Sequence, residues 1–182
     1  MSQALEIAGR ADENRALLED AVRRFPADAE LRILFASALL RPCPQEALHQ
    51  IAEAISLDVN DARRVTRAAF MLYDLGEIDG ARQYVAHAMQ TMPPDDPVLE
   101  VELAVLGGQI AAKMGEADIA EEAFRAAVKA YPEVEHYWVV LSEFLAGQGR
   151  VDEARTVVGT AIRTASETGK LDTLARLLER QS

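Results

Sequence analysis

Five residues at fixed distances recur along this chain of 182 residues, and no other feature limits its fold as tightly. In GEADIAEEAFRAAVKAYP the slots are Gly115, Ala120, Phe124, Ala127 and Pro132. The same slots hold Gly76, Ala81, Val85, Ala88 and Pro93, then Gly149, Ala154, Val158, Ala161 and Ser166. Weaker copies read Pro42, Ala47, Ile51, Ala54, Val59 and Gly9, Asn14, Leu18, Ala21, Pro26. Ala47 to Ala81 is 34 residues and Ala120 to Ala154 is again 34, whereas Asn14 to Ala47 is 33 and Ala81 to Ala120 is 39. A unit of that size cannot bury its own apolar face and must stack on its neighbours.

The slots have a helical logic. Ala120, Phe124 and Ala127 stand at i, i+4 and i+7, on one face of a helix. Alanines there admit a close neighbouring helix, and the larger residue between them fills the remaining gap. Gly115 marks the turn into the helix, where a positive φ costs glycine little. Pro132 cannot continue the helix and separates one hairpin from the next. Asp12, Asp79, Asp118 and Asp152 fall three residues after the turn slot, where an acid in the first helical turn favours the macrodipole by roughly 0.3–1 kcal/mol. Pro44 is placed for a first helical position, where its missing N–H costs nothing.

Composition agrees. Alanine and leucine dominate and aromatics make up 5%, a mixture that favours helices over sheet. The net charge of −11 argues against nucleic acid, whose phosphates are bound by Lys and Arg. The lone Cys43 cannot form an internal disulfide, so the cytoplasm is the default expectation. Charged residues scattered through the first twenty positions leave no apolar core for a signal peptide. The longest apolar stretch, LAVLGGQIAA from Leu103, is too short to span a bilayer, so no membrane insertion is expected.

The helix preceding each slot set should face it. In the last full unit it reads EHYWVVLSEFLAGQG, with Trp138, Leu141, Ser142 and Leu145 at i, i+3, i+4 and i+7. With these residues the chain resembles the tetratricopeptide repeat, whose consensus places W, L, G and Y in the first helix and A, F, A and P in the second. The resemblance implies an all-α solenoid of antiparallel helix pairs wound as a right-handed superhelix. It divides a single domain into a partial repeat at 1–27, full repeats at 28–61, 62–95, 101–134 and 135–168, and a capping helix at 169–182. In that last helix Leu171, Leu174 and Leu178 are expected inward and Arg176, Glu179 and Arg180 outward.

Some positions depart from the pattern. Ala104, Gly107, Gly108 and Ala111 stand in place of W, L, G and Y, so that pair should pack unusually close. TMPPDDPVLE, from Thr91, holds five extra residues, with Asp96 and Pro97 placed to cap and open a lengthened helix. At the N-terminus, Met1 falls midway through where a first helix should begin, which implies a short helix or a domain cut from a longer protein.

Chemistry-bearing motifs are scarce. His49, His87 and His136 lie far apart, and none has zinc-ligand spacing. Cys43 stands between two prolines with neither base nor oxyanion site nearby. GQGRVD lacks the third glycine of a dinucleotide loop, and ETGK lacks the features of a phosphate loop; both read as inter-helix turns. No enzyme activity, metal or cofactor is expected.

The resemblance also implies that positions 2, 5, 6, 9, 12 and 13 of each first helix line a concave groove. Carried over by register, these hold Arg32, Ile33 and Leu39, then Arg63, Arg67, Phe70 and Tyr73. They continue with Glu102, Val105, Leu106 and Gln109, then His136, Val139, Val140 and Glu143. The groove would be basic early and apolar later. It would suit a protein or peptide with an acidic or carboxylate end near Arg32, Arg63 and Arg67, and apolar side chains near Val105, Val139 and Val140. The same residues have a plainer reading, in which the arginines offset an acidic surface and the valines pack between repeats. The expected function is a non-catalytic interaction module, an adaptor, scaffold or dedicated chaperone. The alternative is a regulatory or sensor segment of a larger signalling enzyme or transcription regulator. Self-association through the unpaired N-terminal helix stays open.

Overall fold

A computed structural model describes residues 2–165 and 169–179, excluding the side chains of residues 2–9, Leu177 and Glu179. Ten α-helices and no strand occur among the described residues: α1 (Ser2–Arg24), α2 (Ala29–Leu39), α3 (Pro44–Leu57), α4 (Ala62–Asp74), α5 (Ile78–Thr91), α6 (Pro97–Lys113), α7 (Ala117–Ala130), α8 (Glu135–Gly147), α9 (Val151–Thr164) and α10 (Gly169–Glu179). The chain divides into two compact units, Met1–Leu99 and Glu100–Ser182, with the boundary inside α6. Below, the first helix of each pair is called A (α2, α4, α6, α8) and the second B (α3, α5, α7, α9).

The turn slots behave alike in three pairs. Gly76, Gly115 and Gly149 have φ of 79°, 82° and 77°, a conformation other residues adopt only with strain. At each, the glycine N–H bonds three residues back and the next N–H bonds five residues back. For Gly76 these are Gly76 N–H to Tyr73 O at 3.0 Å and Glu77 N–H to Leu72 O at 2.9 Å. This Schellman arrangement satisfies two carbonyls at the end of each A helix and sets the following B helix antiparallel to it. Asp79, Asp118 and Asp152 lie in the first turns of α5, α7 and α9, and Pro44 opens α3.

The first unit stacks α1 on α2, α2 on α3, α3 and α2 on α4, and α4 on α5. Ala47, Ala54, Ala81 and Ala88 have no exposed surface, and Ile51 and Val85 fill the gaps between them at 1% and 6%. Asp28 and Asp61 cap α2 and α4: Asp28 accepts the Glu30 and Leu31 N–H groups, and Asp61 accepts that of Arg64. Gly9 is no turn. Ser2–Arg24 is one continuous helix, so Asp12 lies within it rather than in its first turn. Glycine permits a turn without enforcing one, and the flanking residues are good helix formers.

In the second unit, Ala120, Phe124 and Ala127, and likewise Ala154, Val158 and Ala161, are at most 2% exposed within one core that also holds Leu141, Leu145, Leu171 and Leu178. Ser166, Arg180 and the side chain of Glu179 lie outside what is described. α6 spans 17 residues against 11 to 13 in α2, α4 and α8, with the Leu99 N–H donating to Asp96 at 3.2 Å. The close approach expected of this pair is present at Gly108. A Cβ on Gly108 would meet Ala123 Cβ and Phe124 Cε1, both at 2.9 Å.

Gly108→Ala gains about 1 kcal/mol of helix propensity but forces an overlap that costs roughly 1–3 kcal/mol, so a net loss is expected. Gly147→Ala, with nothing within 4 Å of its Cβ, should be neutral or slightly stabilising. Denaturant titration of the two variants measures the contrast.

Candidate partner-binding surface

Each A helix turns one side to its B partner and leaves another side available, and the candidate residues must be placed on one or the other. In the first unit, Arg63, Arg67, Phe70 and Tyr73 stand on the outward side of α4: the arginine side chains are 65% and 41% exposed, and the two rings are half-buried. Arg67 donates to Glu30 on α2, and Arg63 donates to Asp96. The Tyr73 hydroxyl is harder to ionise than usual, first because of burial and then because of Asp74.

Arg32 is elsewhere. Its side chain is 13% exposed, its Nε donates to Pro26 O at 2.9 Å and its Nη1 to Gln50 Oε1 at 2.9 Å. Trp138 on α8 donates from Nε1 to Pro132 O at 2.8 Å, also six residues back. Arg32 therefore occupies the slot of the tryptophan and belongs to the packing between α2 and α3, not to an open face. Leu39 (3%) is a core residue for the same reason, and Ile33 has no exposed surface. The cause is a shift of one residue. The first full unit lacks a turn glycine, its A helix ends at Leu39, and counting back from Ala47 misplaces α2 by one position. With the register corrected, the outward side of α2 carries Glu30, Leu34 and Ser37; Leu34 is 38% exposed.

In the second unit Val105 (2%) and Val140 (8%) are core residues, and Val139 is partly buried against that core. The apolar stretch expected from these valines is thus spent on packing. Leu106 has no exposed surface. Glu102 and Gln109 are half-buried, and His136 and Glu143 are exposed. Burial, then Lys170, disfavours the charged form of His136, while Glu143 favours it. Its ring lies 5.9 Å from that of Tyr137, whose hydroxyl is kept protonated by burial and then by Glu102 and Tyr131. Sequence reasoning missed Glu135, whose Oε1 accepts the N–H groups of Lys170 (2.6 Å) and Leu171 (3.2 Å) and so caps α10.

An ion-pair network joins α7 to the start of α9. Glu121 on α7 takes hydrogen bonds from Arg150, including Nη2 at 3.0 Å, and Arg150 also donates to Glu153 from Nε at 2.8 Å. Arg125 joins both acids. The Arg150 hydrogen bond, opposed by burial and aided by that of Arg125, pulls the Glu121 carboxyl from 4.5 down to about 2.

His87 Nε2 lies 2.8 Å from Val59 O, and Cys43 is exposed. Among the described residues no group of three His, Cys, Asp or Glu is placed to hold a metal, and no helix is long and apolar enough to cross a membrane.

These features define an all-α protein of repeated helix pairs, with polar and half-buried side chains on the outward sides of its A helices. Residues 105–168 match the family model described as tetratricopeptide repeat. TTC0263, a thermophilic tetratricopeptide protein of Thermus thermophilus, superposes with a TM-score of 0.72 at 22% identity, over 96% of this chain and 93% of that one. PilF of Pseudomonas aeruginosa gives 0.70 at 17%, over 98% and 79%. YrrB, described as having an unusual peptide-binding site, gives 0.57 at 18%, over 90% and 82%. No curated protein matches the chain in sequence. The likeness shows the fold, an all-α array of helix pairs like that of tetratricopeptide proteins, and the family model covers the last two full pairs in part.

Two outcomes follow from the geometry. Arg32→Ala should lower stability in urea titration by about 1–2 kcal/mol, because Gln50 and the Pro26 carbonyl lose a donor. Glu121 has a depressed carboxyl, so its contribution is full above about 4.5 and is lost as pH falls through about 2. Glu121→Gln should melt below the wild type at neutral pH, by the equivalent of about 1 kcal/mol, with the gap closing toward pH 2.

Proposed function

We propose that this chain is a non-catalytic interaction module that holds a peptide or helix of a protein partner against the outward sides of its A helices. The observation carrying this reading is in the first unit. Leu34, Phe70 and Tyr73 offer partly open apolar surface beside Arg63 and Arg67, while the B-facing side of α4, with Val65, Ala68, Ala69 and Leu72, is at most 8% exposed. One side is consumed by folding and the other is not.

The chemistry favours a partner segment with an acidic side chain or a terminal carboxylate. Arg67 already pairs with Glu30, but an exposed pair is worth about 0–1 kcal/mol, so an incoming carboxylate exchanges it at little cost; Arg63 pairs with the less exposed Asp96, while its own side chain is 65% exposed. Arginine grips such a group through two parallel hydrogen bonds. In the second unit, Glu102, Gln109, His136, Val139 and Glu143 offer a more acidic face, suited to amide or basic groups. A role as adaptor, scaffold or dedicated chaperone, in the cytoplasm, accords with this reading.

The partner should be recovered by affinity purification with mass spectrometry and its binding segment then titrated against wild type and an Arg63→Glu, Arg67→Glu double variant. Both side chains are substantially exposed, so the fold should survive. A loss of at least about tenfold in affinity is expected from the two lost contacts, and unchanged binding would discard the first-unit site.

A further inference from the structure

The acids of the second unit divide into two groups. Among the described residues, its ion pairs join Arg125, Arg150 and Arg155 to Glu121, Asp152 and Glu153, all on α7, on α9 or at the N-cap of α9. The A helices α6 and α8 supply none. Glu135 on α8 caps α10, but Glu102 on α6 and Glu143 on α8 have neither an ion-pair nor a hydrogen-bond partner among the described residues. Glu102 is half-buried, so an incoming cation meets it under less screening than at an open surface.

Two tyrosines stand near that acid. Tyr131 ends α7: its N–H donates to Ala127 O at 2.9 Å and its carbonyl accepts the Val134 N–H at 3.2 Å, which fixes its place at the turn into α8. Its ring meets that of Tyr137 on α8 edge-on, with centroids 6.3 Å apart. Tyr131 is half-buried and Tyr137 is 8% exposed. Glu102 and Tyr131 both lie close enough to the Tyr137 hydroxyl to oppose its ionisation. A tyrosine so deeply set ordinarily finds a hydrogen-bond partner, yet this hydroxyl has none among the described residues and is not sealed from solvent. His136, its ring 5.9 Å from that of Tyr137, brings no competing cation at neutral pH, because burial and then Lys170 disfavour its charged form. Lys170 pairs with neither Glu102 nor Glu143.

We propose that Glu102, Tyr131 and Tyr137 form a site for a guanidinium, carried by an arginine of the protein partner. The inference rests on the reading of the A-helix faces as the partner's seat, and it names the group that the second unit takes. A guanidinium matches each feature at once. Its charge pairs with Glu102, its plane lies on a tyrosine ring, and a remaining N–H donates to the Tyr137 hydroxyl oxygen. A lysine ammonium is a compact, strongly hydrated point charge, which gives up more on entering a half-buried site and cannot stack. The net charge of −11 and the unpaired, exposed Glu143, close enough to act on His136, draw such a group in. The partner so described carries an acidic group for the first unit and an arginine for the second.

N-acetyl-arginine amide, titrated into the whole isotope-labelled chain and followed by NMR, should shift the resonances of Glu102, Tyr131 and Tyr137 along one saturable curve. N-acetyl-citrulline amide, which keeps the shape and loses the charge, should not, and N-acetyl-lysine amide should bind at least about threefold more weakly. Glu102→Gln should weaken the arginine amide by at least about fivefold, and Tyr137→Phe, which keeps the ring and removes the hydroxyl, by about twofold. Both replacements are nearly isosteric, and the amide spectrum reports whether the fold is kept. The proposal is overturned if the citrulline or lysine compound binds as tightly as the arginine compound, if the shifts scatter over the acidic surface without saturating, or if Glu102→Gln leaves the affinity unchanged. A purified partner segment that binds Glu102→Gln as it binds the wild type also overturns it. The reading of the A-helix faces is judged separately, by the Arg63→Glu, Arg67→Glu titration, which touches no residue of this site.

Discussion

The structure depends on how closely two helices approach when the residues between them have almost no side chain. Every B helix from α3 onward places one alanine four positions before, and another three positions after, a residue that fills space, and all eight alanines have no exposed surface. Dispersion falls steeply with separation, so contact at this range depends on methyl-sized side chains on one helix and a shaped filler on the other. Phe124 fits because Gly108 opposes it, and its ring also meets Phe144 edge-on at 5.4 Å. The turn glycines serve the same end: a left-handed residue at the end of an A helix brings the B helix back antiparallel at once.

Because that contact uses one side of each helix, charge is displaced to the others, and burial separates its roles. Glu121, 22% exposed, and Arg32, 13% exposed, hold neighbouring helices together through several hydrogen bonds each. Arg63 and Arg67 are far more open and have one acidic partner apiece. A network of multiple bonds at low exposure resists substitution, whereas a single pair in water exchanges readily. The same residue type thus acts as a strut on one surface and as an available donor on another.

What the sequence made legible follows from the strength of each signal. Gly76, Gly115 and Gly149 announced their turns because few residues tolerate a positive φ, and Asp96 with Pro97 announced a longer helix through capping chemistry. The helix at Ser2–Arg24 was less legible, since Gly9 is compatible with a turn and a helix alike and only packing decides. The candidate face suffered most. Counting by period placed Arg32 outward, but one residue fewer in the turn after α2 rotates every side chain of that helix by about 100°. Val105 and Val140 had the right register, yet the half of each A helix that meets solvent is narrower than the slot pattern suggests, and apolar residues at its margin are drawn into the core.

The tryptophan slot shows that position can matter more than identity. Trp138 and Arg32 share neither charge nor shape, but each carries a planar N–H group on a long side chain, and each donates it to a proline carbonyl six residues back. That carbonyl belongs to the loop between hairpins, where no helical N–H reaches it. Val65 in the same slot of α4 has no donor to offer. There the preceding residue, Arg64, reaches the Asp58 carbonyl, again six residues back, at 3.4 Å. The requirement shared by these units is therefore a satisfied loop carbonyl, because an unpaired one would loosen the junction on which the next helix pair is stacked. The side chain that meets it can be aromatic or cationic, and in α4 it comes from a neighbouring position.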